Sequence, residues 1–368
     1  MEKGIVYKGQ GIFSYCGWPT LARLEDGTLA VAFSGHRLAH VCTFGETMIV
    51  YSYDNGKTWT KPMSVVSTQF DDRDGGLCVN GKQVLLTTFN NNYSIQAWHA
   101  DNHEPNLQIR AMIHQYIDMN KETANEDDVA STVWVSEDGG KTFPKSYKMP
   151  ITSPHGPRVL SDGRYIYVGR AFHVADAHKT PGRVYNELKD YVYYMYSSDG
   201  YTWTDPVQIP IPDERIDIAG EPDVYEKSNG ELLVLVRVHR KQADWGRMYM
   251  YQVESYDNRT KWTEPRVLDL VGGPPHILKL SSGRLLCVFG CRKQPYAEKG
   301  IVSDDEGKTW SKPFVIDGDG VSDDLGYPSS IEMEDGSILT VYYQDNKEDA
   351  KPCLRYTRWS LDEVNIEF

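Results

Sequence analysis

The chain has 368 residues, of which 40% are hydrophobic and 12% aromatic, with a formal net charge of −13 at pH 7 from 39 basic and 52 acidic residues. That acidic surplus argues against a general nucleic-acid or anionic-membrane binder, and no apolar run is long enough to cross a bilayer. The opening residues MEKGIVYKGQG lack the apolar stretch of a secretory signal, and the six cysteines are scattered, several in apolar strand-like runs, which reads as reduced core thiols. These features predict a cytoplasmic protein, or a secreted or periplasmic one if a leader precedes this chain.

In chain order, six short turns are each followed by an apolar, strand-like run: EDGTLAVAF at Gly27, VNGKQVLLTTF at Gly81, SDGRYIYVG at Gly163, SNGELLVLV at Gly230, SSGRLLCVFG at Gly283 and EDGSILTVYY at Gly336. Asp-Gly and Asn-Gly between apolar runs are strong hairpin signals. A second repeat, Ser-x-Asp-x-Gly-x-Thr-Trp, is interleaved with the first. It reads YSYDNGKTWTKP from Tyr51, VSEDGGKTFPKS from Val135, YSSDGYTWTDP from Tyr196, ESYDNRTKWTEP from Glu254 with Arg259 in the glycine place, and VSDDEGKTWSKP from Val302. The Asp accepts backbone N–H groups of its own turn, the Gly supplies a conformation closed to other residues, and the Trp folds back on the neighbouring strand. The motif therefore reads as a self-contained clip.

Six hairpins interleaved with clips predict six sheets of about four strands, set radially so that only short edges remain. The expected fold is all-β, a six-bladed β-propeller formed by residues 1–368 as one domain. The last strand, CLRYTRWSL, would pair beside IVYKGQG to close the ring. Between Asn90 and Ala130 a polar insertion with some helical spacing interrupts the rhythm. It reads as a lid over one face, as a subunit contact in a homo-oligomer, or as surface decoration.

Residues at equal distance from the turn glycines should occupy equivalent places. Nine residues before them stand Trp18, Asp72, Pro154, Glu221, Pro274 and Tyr327, and seven after them two blades carry Arg170 and Arg237. Trp18, Asp72, Glu221 and Tyr327 are expected to converge on one mouth, with Arg37 and Arg292 close by. The loop GHRLAHVCTFG adds His40, the run FDDRDGG adds Arg73 and three carboxylates from Asp71 to Asp74, and SPHGPR and PPHIL add His155 and His276. Taken singly, each is as readily a strand-end cap or a loop residue; an acid, a phenol and several arginines on one rim point to binding. No histidine pair among His40, His155 and His276 has zinc-like spacing.

The turn clips resemble the Asp-box repeats of sialidases and their relatives, and the resemblance extends over essentially the whole chain. GEPDVYEKSNGELLVLVR resembles the sialidase segment in which a catalytic Glu is followed sixteen residues later by a substrate-binding Arg, which maps onto Glu221 and Arg237. LGYPSSIEMEDGSILTVYY resembles the segment of the nucleophilic tyrosine, which maps onto Tyr327. A phenol, with an ordinary pKa near 10, needs a neighbouring carboxylate as base. Sialidases are the tyrosine exception among glycosidases.

Three positions depart from the pattern. Gly17, in YCGWPTL, stands where sialidases carry the first of three arginines that grip the sugar carboxylate. His40 stands twelve residues before Ser52, where the family has its acid/base Asp. No Arg precedes the fifth-blade clip in YAEKGIVSDDEG, so Arg292 is the substitute.

The resemblance thus implies an exo-acting glycoside hydrolase. Tyr327 would be the nucleophile, Glu221 its base and His40 or Asp72 the acid/base. Arg37, Arg73, Arg170, Arg237 and Arg292 would hold a terminal acidic sugar (sialic acid or a relative), and Trp18, His155 and His276 would add contacts. No metal or organic cofactor is expected. A polysaccharide lyase acting on uronates, with His40 or Tyr327 as base, and a non-catalytic glycan-binding propeller are the alternatives.

Overall fold

The computed structural model describes residues 1–125, 128–172, 191–211, 216–240 and 248–368. They form six antiparallel sheets, the six-bladed propeller that the hairpin count predicts. Blade one is Tyr15–Arg23, Leu29–Arg37, Glu46–Ser52 and Met63–Val66; blade two is Asp71–Asn80, Gln83–Asn91, Ser131–Ser136 and Lys145–Met149. Blade three is Ile151–Thr152 with Arg158–Val159, then Tyr165–Ala171, Val192–Ser197 and Val207–Gln208. Blade four is Ile216–Glu226, Leu232–Arg240, Met248–Tyr256, and both Lys261–Trp262 and Arg266–Val271. Blade five is His276–Lys279, Leu285–Cys291, Ala297–Ser303 and Phe314–Asp317.

Blade six takes Gly326–Glu332, Ile338–Gln344 and Cys353–Trp359 from one end of the chain and its outer strand, Glu2–Tyr7, from the other. Gly4 pairs with Tyr356, and Lys3 Nζ reaches Asp317 Oδ1 of blade five at 2.7 Å. The middle strands are buried on both faces and read as unbroken apolar runs such as Leu232–Val236, so the core lies between blades in a ring of clusters. All six cysteines are buried and free.

The clips are less self-contained than the repeat suggests. Within the blade-five clip, Ser303 Oγ accepts Gly307 N at 2.8 Å, and Asp305 accepts Thr309 N and Thr309 Oγ1 at 2.8 and 2.7 Å. The preceding blade then grips the clip from outside: Gln252 Nε2 donates to Gly307 O at 2.8 Å, and Trp310 Nε1 donates to Gln252 Oε1 at 2.9 Å. Tyr51 donates in the same way to Gly140 O and Tyr147 to Gly200 O, both at 2.5 Å, so these three clips are staples between neighbouring blades. In the worn copy, where Arg259 stands in the glycine place, Glu231 takes over the role of the clip Asp, and Asp257 turns to Lys261: the Glu231 carboxylate accepts Ser255 Oγ at 2.5 Å and the amides of Asn258 and Arg259 at 2.9 and 3.1 Å.

The insertion folds as two helices, α1 (Tyr93–His103) and α2 (Leu107–Asn120), capped by Asn92 and Asn106. They close a small core of Phe70, Tyr93, Ala100, Ile113, Ile117 and Val129.

Ser303→Ala tests the staple. It strands the buried Gly307 amide, which costs about 1–3 kcal/mol. A lowered urea midpoint with an unchanged slope is the expected result.

Candidate active site

A strand alternates its side chains across the sheet and so cannot aim one along the propeller axis unless its ladder breaks. Four inner strands break at one equivalent place. The register slips between Gly17 and Thr20, between Arg73 and Gly76, between Gly220 and Pro222, and between Gly326 and Ser329. In each bulge a non-glycine residue takes a left-handed backbone: Trp18 at φ 57°, Asp74 at 57°, Glu221 at 52° and Tyr327 at 53°. Pro19, Gly75, Pro222 and Pro328 follow them. Three of these are prolines, with no N–H left to be satisfied at the bulge.

This register corrects the expectation for Asp72. In blade two, Asn80 pairs with Gln83, so the turn holds two residues, whereas blade one has five between Arg23 and Leu29. Counting back from the turn glycine therefore overshoots by two, and the rim residue is Asp74. Asp72 points elsewhere: its carboxylate accepts Thr68 N at 2.6 Å and Thr68 Oγ1 at 3.0 Å, and it serves the backbone of the blade-two entry.

Tyr327 donates its hydroxyl to Glu221 Oε1 at 2.7 Å and accepts Arg237 Nη1 at 3.3 Å. Arg237 also lies against Glu221 Oε2 as an ion pair without hydrogen-bond geometry. Burial alone would raise Glu221, but Arg237 and the Tyr327 hydrogen bond outweigh it and hold the carboxyl below its ordinary value. Burial and the Glu221 charge both push the Tyr327 phenol well up. The pair at rest is thus an ionised carboxylate and a neutral phenol that shares its proton with it.

Arg292 flanks this pair. Its Nη2 donates to Tyr343 Oη at 2.7 Å, its Nε to Leu325 O at 2.9 Å, and its guanidinium carbon lies 5.7 Å from the Tyr327 ring centre. Arg170 packs its methylenes against Gly220, where an added Cβ would come within 3.0 Å of Arg170 Cδ, and its charge bears on Asp74 and Glu221. The Asp74 carboxyl has no hydrogen-bond partner among the described residues; burial, only partly offset by Arg73, pushes it up to about 7.

Two of the expected sugar-binding arginines do structural work. Arg37 is fully buried in an ion pair with Asp71; it also donates to Ser34 Oγ at 2.7 Å, Asp72 O at 3.0 Å and His40 O at 2.9 Å. It clamps blade one to blade two and has no face left for a ligand. Arg73 shares Asp71 at 3.4 Å, donates to His40 O at 2.6 Å, and stacks 4.0 Å over the Trp18 ring. Trp18, 1% exposed, is the floor of the mouth more than a contact surface.

His155 and His276 also leave the rim. Their rings meet edge-on at 5.0 Å between blades three and five, 1% and 2% exposed, with His155 Nδ1 on Thr20 Oγ1 at 3.1 Å. Burial holds both imidazoles neutral. They tie blades together across the axis beneath the mouth.

His40 does stand at the mouth, with a partner that counting from turns misses. Its Nδ1 lies 2.9 Å from Asp324 Oδ1, and the same oxygen accepts the Tyr15 and Tyr343 hydroxyls at 3.0 and 3.1 Å. Burial opposes the Asp324 charge, but His40, Arg292 and Tyr15 keep that carboxyl well below the usual range. The Gly17 departure lies in the same cluster: a Cβ on Gly17 would come into ordinary contact with the Tyr15 ring at 3.4 Å and the Tyr343 ring at 3.5 Å, so an arginine there would have to pass between two tyrosines. The insertion supplies a wall here, since His99 of α1 stacks on His40 at 5.9 Å with planes 9° apart. Asp324 lies three residues before Tyr327 in DDLGYP, and that proximity was its only signal in the sequence. Among the described residues no three His, Cys, Asp or Glu side chains converge to hold a metal ion.

The profile of the family described as BNR repeat-like domain matches residues 106–341. The chain belongs to that family. No curated protein matches it. Among solved structures, this BNR repeat-like chain resembles a Dyadobacter fermentans protein of unknown function, with TM-score 0.72, 20% identity, and coverage of 100% of this chain and 98% of the other. It also resembles the NanB sialidase of Streptococcus pneumoniae, with TM-score 0.64, 13% identity, and coverage of 98% and 71%. The Trypanosoma rangeli sialidase gives TM-score 0.59 and 17% identity over 94% of this chain and 54% of that one. At these identities the likeness is one of fold: a sialidase-like six-bladed propeller.

Two substitutions test the supporting shell of this BNR propeller. Arg37→Met removes one partner of a fully buried pair, which should cost about 3–5 kcal/mol in urea unfolding. A loss below about 1 kcal/mol would return Arg37 to the list of substrate ligands.

The second concerns Glu298, which is fully buried behind Arg292. Neither of its oxygens completes a hydrogen bond, although the Gly326 N–H bears on it. Burial, reinforced by Asp317, pushes it well above the carboxylate range, so folding takes up a proton there. Its share of stability is full below the unfolded pKa of about 4.3 and is lost as pH rises toward the folded value. Glu298→Gln should therefore melt higher than wild type at pH 7 and match it near pH 4, read by calorimetry.

Proposed function

We propose that this chain is an exo-acting glycoside hydrolase that removes a terminal acidic sugar. The observation that carries the reading is the 2.7 Å hydrogen bond from the Tyr327 hydroxyl to an ionised Glu221, with Arg237 against both. Tyr327 Oη attacks the anomeric carbon as its proton passes to Glu221. The glycosidic C–O bond breaks and the leaving oxygen takes a proton from the His40 imidazolium. Water then attacks the same carbon and gives a proton to His40, while Tyr327 leaves and recovers its proton from Glu221. A neutral phenol approaches an anionic sugar without the repulsion a carboxylate nucleophile would meet.

The acidic sugar follows from charge. Arg73, Arg170, Arg237 and Arg292 bear on the mouth against ionised Glu221 and Asp324, with Asp71 shared by Arg37 and Arg73. That leaves a cationic excess suited to a carboxylate. Asp74 would take a sugar hydroxyl. The sialidases of similar fold agree with a glycan substrate, while the loss of the first arginine at Gly17 widens the choice to other ulosonic and uronic acids.

A second reading, a uronate lyase, draws on one observation: burial, with Arg73 and Arg292 nearby, lowers His40 despite Asp324, so the imidazole is neutral at rest and is a base.

The test is release from a fluorogenic aryl α-sialoside, then from aryl glycosides of other acidic sugars, with Tyr327→Phe beside wild type. Release should fall by about 10³-fold or more in the mutant; full activity in the mutant would sink the mechanism. The pH profile separates the readings. A hydrolase needs His40 protonated, so activity falls as pH rises through a pKa below the usual 6.5 or so. A lyase needs it neutral, so activity falls as pH drops, and its product absorbs in the near ultraviolet.

A further inference from the structure

We propose that Asp324 is the positioning residue of the mouth: it fixes His40 as the Nδ1–H tautomer, so that Nε2 is the atom that exchanges a proton with the leaving group. The catalytic half of this rests on the hydrolase reading; the tautomer does not.

The geometry decides the tautomer. Tyr15 Oη lies 2.9 Å from His40 Nδ1 and itself donates to Asp324 Oδ1 at 3.0 Å, and Tyr343 donates to that oxygen at 3.1 Å. Tyr15 has a single hydrogen, and it is committed to the carboxylate. A ring nitrogen 2.9 Å from an ionised oxygen must then carry a hydrogen of its own. Nε2 is left as the free lone pair in neutral His40 and as the transferable N–H in the imidazolium. It has no partner among the described residues, and 32% of the side chain stays open.

The surroundings hold the ring in that plane. Trp18 meets it edge-on at 4.9 Å and His99 lies parallel to it at 5.9 Å. The charged and titratable groups that face His40 are Asp324 from the loop before blade six, Arg73 from blade two, Arg292 from blade five, Tyr15 from blade one and His99 from α1. Arg37 and Arg73 hold the His40 carbonyl, which fixes the backbone beneath the ring. His99 is pushed down to about 3, first by burial and then by His40 and Arg73, so it stays neutral and does not compete for the proton. Among the described residues Asp324 is thus the one anion on the ring that supports its imidazolium, and it also arrives on the segment that carries Tyr327. A single loop sets both the nucleophile and the proton carrier.

Long-range proton–nitrogen NMR of the ¹⁵N-labelled full chain tests this, with the His40 signals assigned by their loss in His40→Gln. Wild type should show the Nδ1–H tautomer when neutral. Asp324→Asn keeps the shape and removes the charge, so the His40 pKa should fall by roughly 1–3 units, the size of one close opposite charge. Tyr343→Phe removes a different bond to the same oxygen and should leave the tautomer unchanged, which controls for general disturbance. On whichever aryl glycoside wild type cleaves, Asp324→Asn should slow a poor leaving group at least tenfold more than an activated one and move the descending pH limb to lower pH. An Nε2–H tautomer in wild type, or an unmoved pKa in Asp324→Asn, overturns the proposal. So does an equal effect on both leaving groups. If no probe is cleaved by wild type while the NMR results hold, the dyad stands and the hydrolase reading is what fails.

Discussion

The site depends on a backbone conformation that most residues avoid. Trp18, Asp74, Glu221 and Tyr327 each sit in the left-handed region at a bulge on an inner strand, at a cost of order 1–3 kcal/mol apiece. Without that kink, alternation would send these side chains into the packing between blades. With it, each of these four inner strands swings one side chain toward the mouth. The sheets behind are indifferent to which residue is swung inward, so an indole, two carboxyls and a phenol occupy one structural niche.

Charge is the second layer of the design. The arginines around the mouth divide into two kinds. Arg37 is spent on Asp71 and on backbone carbonyls, and Arg73 is shared between that work and the Trp18 ring. Arg170, Arg237 and Arg292 lie nearer the Tyr327–Glu221 pair and bear on its charge. The buried pairs of the first kind make the rim rigid, because moving the loop of His40 would strip two buried guanidinium groups of the carbonyl they share.

The architecture was legible because it is written many times. Six turn glycines and five clips, each with its own local chemistry, leave little freedom in blade number. Glu221, Arg237 and Tyr327 were legible because their blades share one turn length. Asp74 was misplaced to Asp72 because blade two has a shorter turn, and the bulge signature itself, a residue followed by Pro or Gly at the strand start, is the better ruler. Arg37, His155 and His276 looked like ligands because composition does not tell whether a polar group is already satisfied. Asp324 was invisible for the opposite reason: it comes from a loop outside both repeats, and only folding brings it to His40. The clips looked self-contained because their partners, such as Gln252 for Trp310, belong to another blade.

The closure of the ring has a consequence for when the site comes into being. Tyr327 rides on the one blade whose strands come from both ends of the chain, with Glu2–Tyr7 laid beside Cys353–Trp359. As synthesis proceeds, blades one to five have all their strands by Asp317, yet Glu2–Tyr7 must wait, unpaired, for Cys353–Trp359. Until then the edge of Cys353–Trp359 is open to other strands, and the blade that carries Tyr327 is incomplete. Closing the ring and completing the blade that carries Tyr327 are therefore one event: a chain cut just short of Cys353–Trp359 keeps the strands of five blades and lacks a whole sixth.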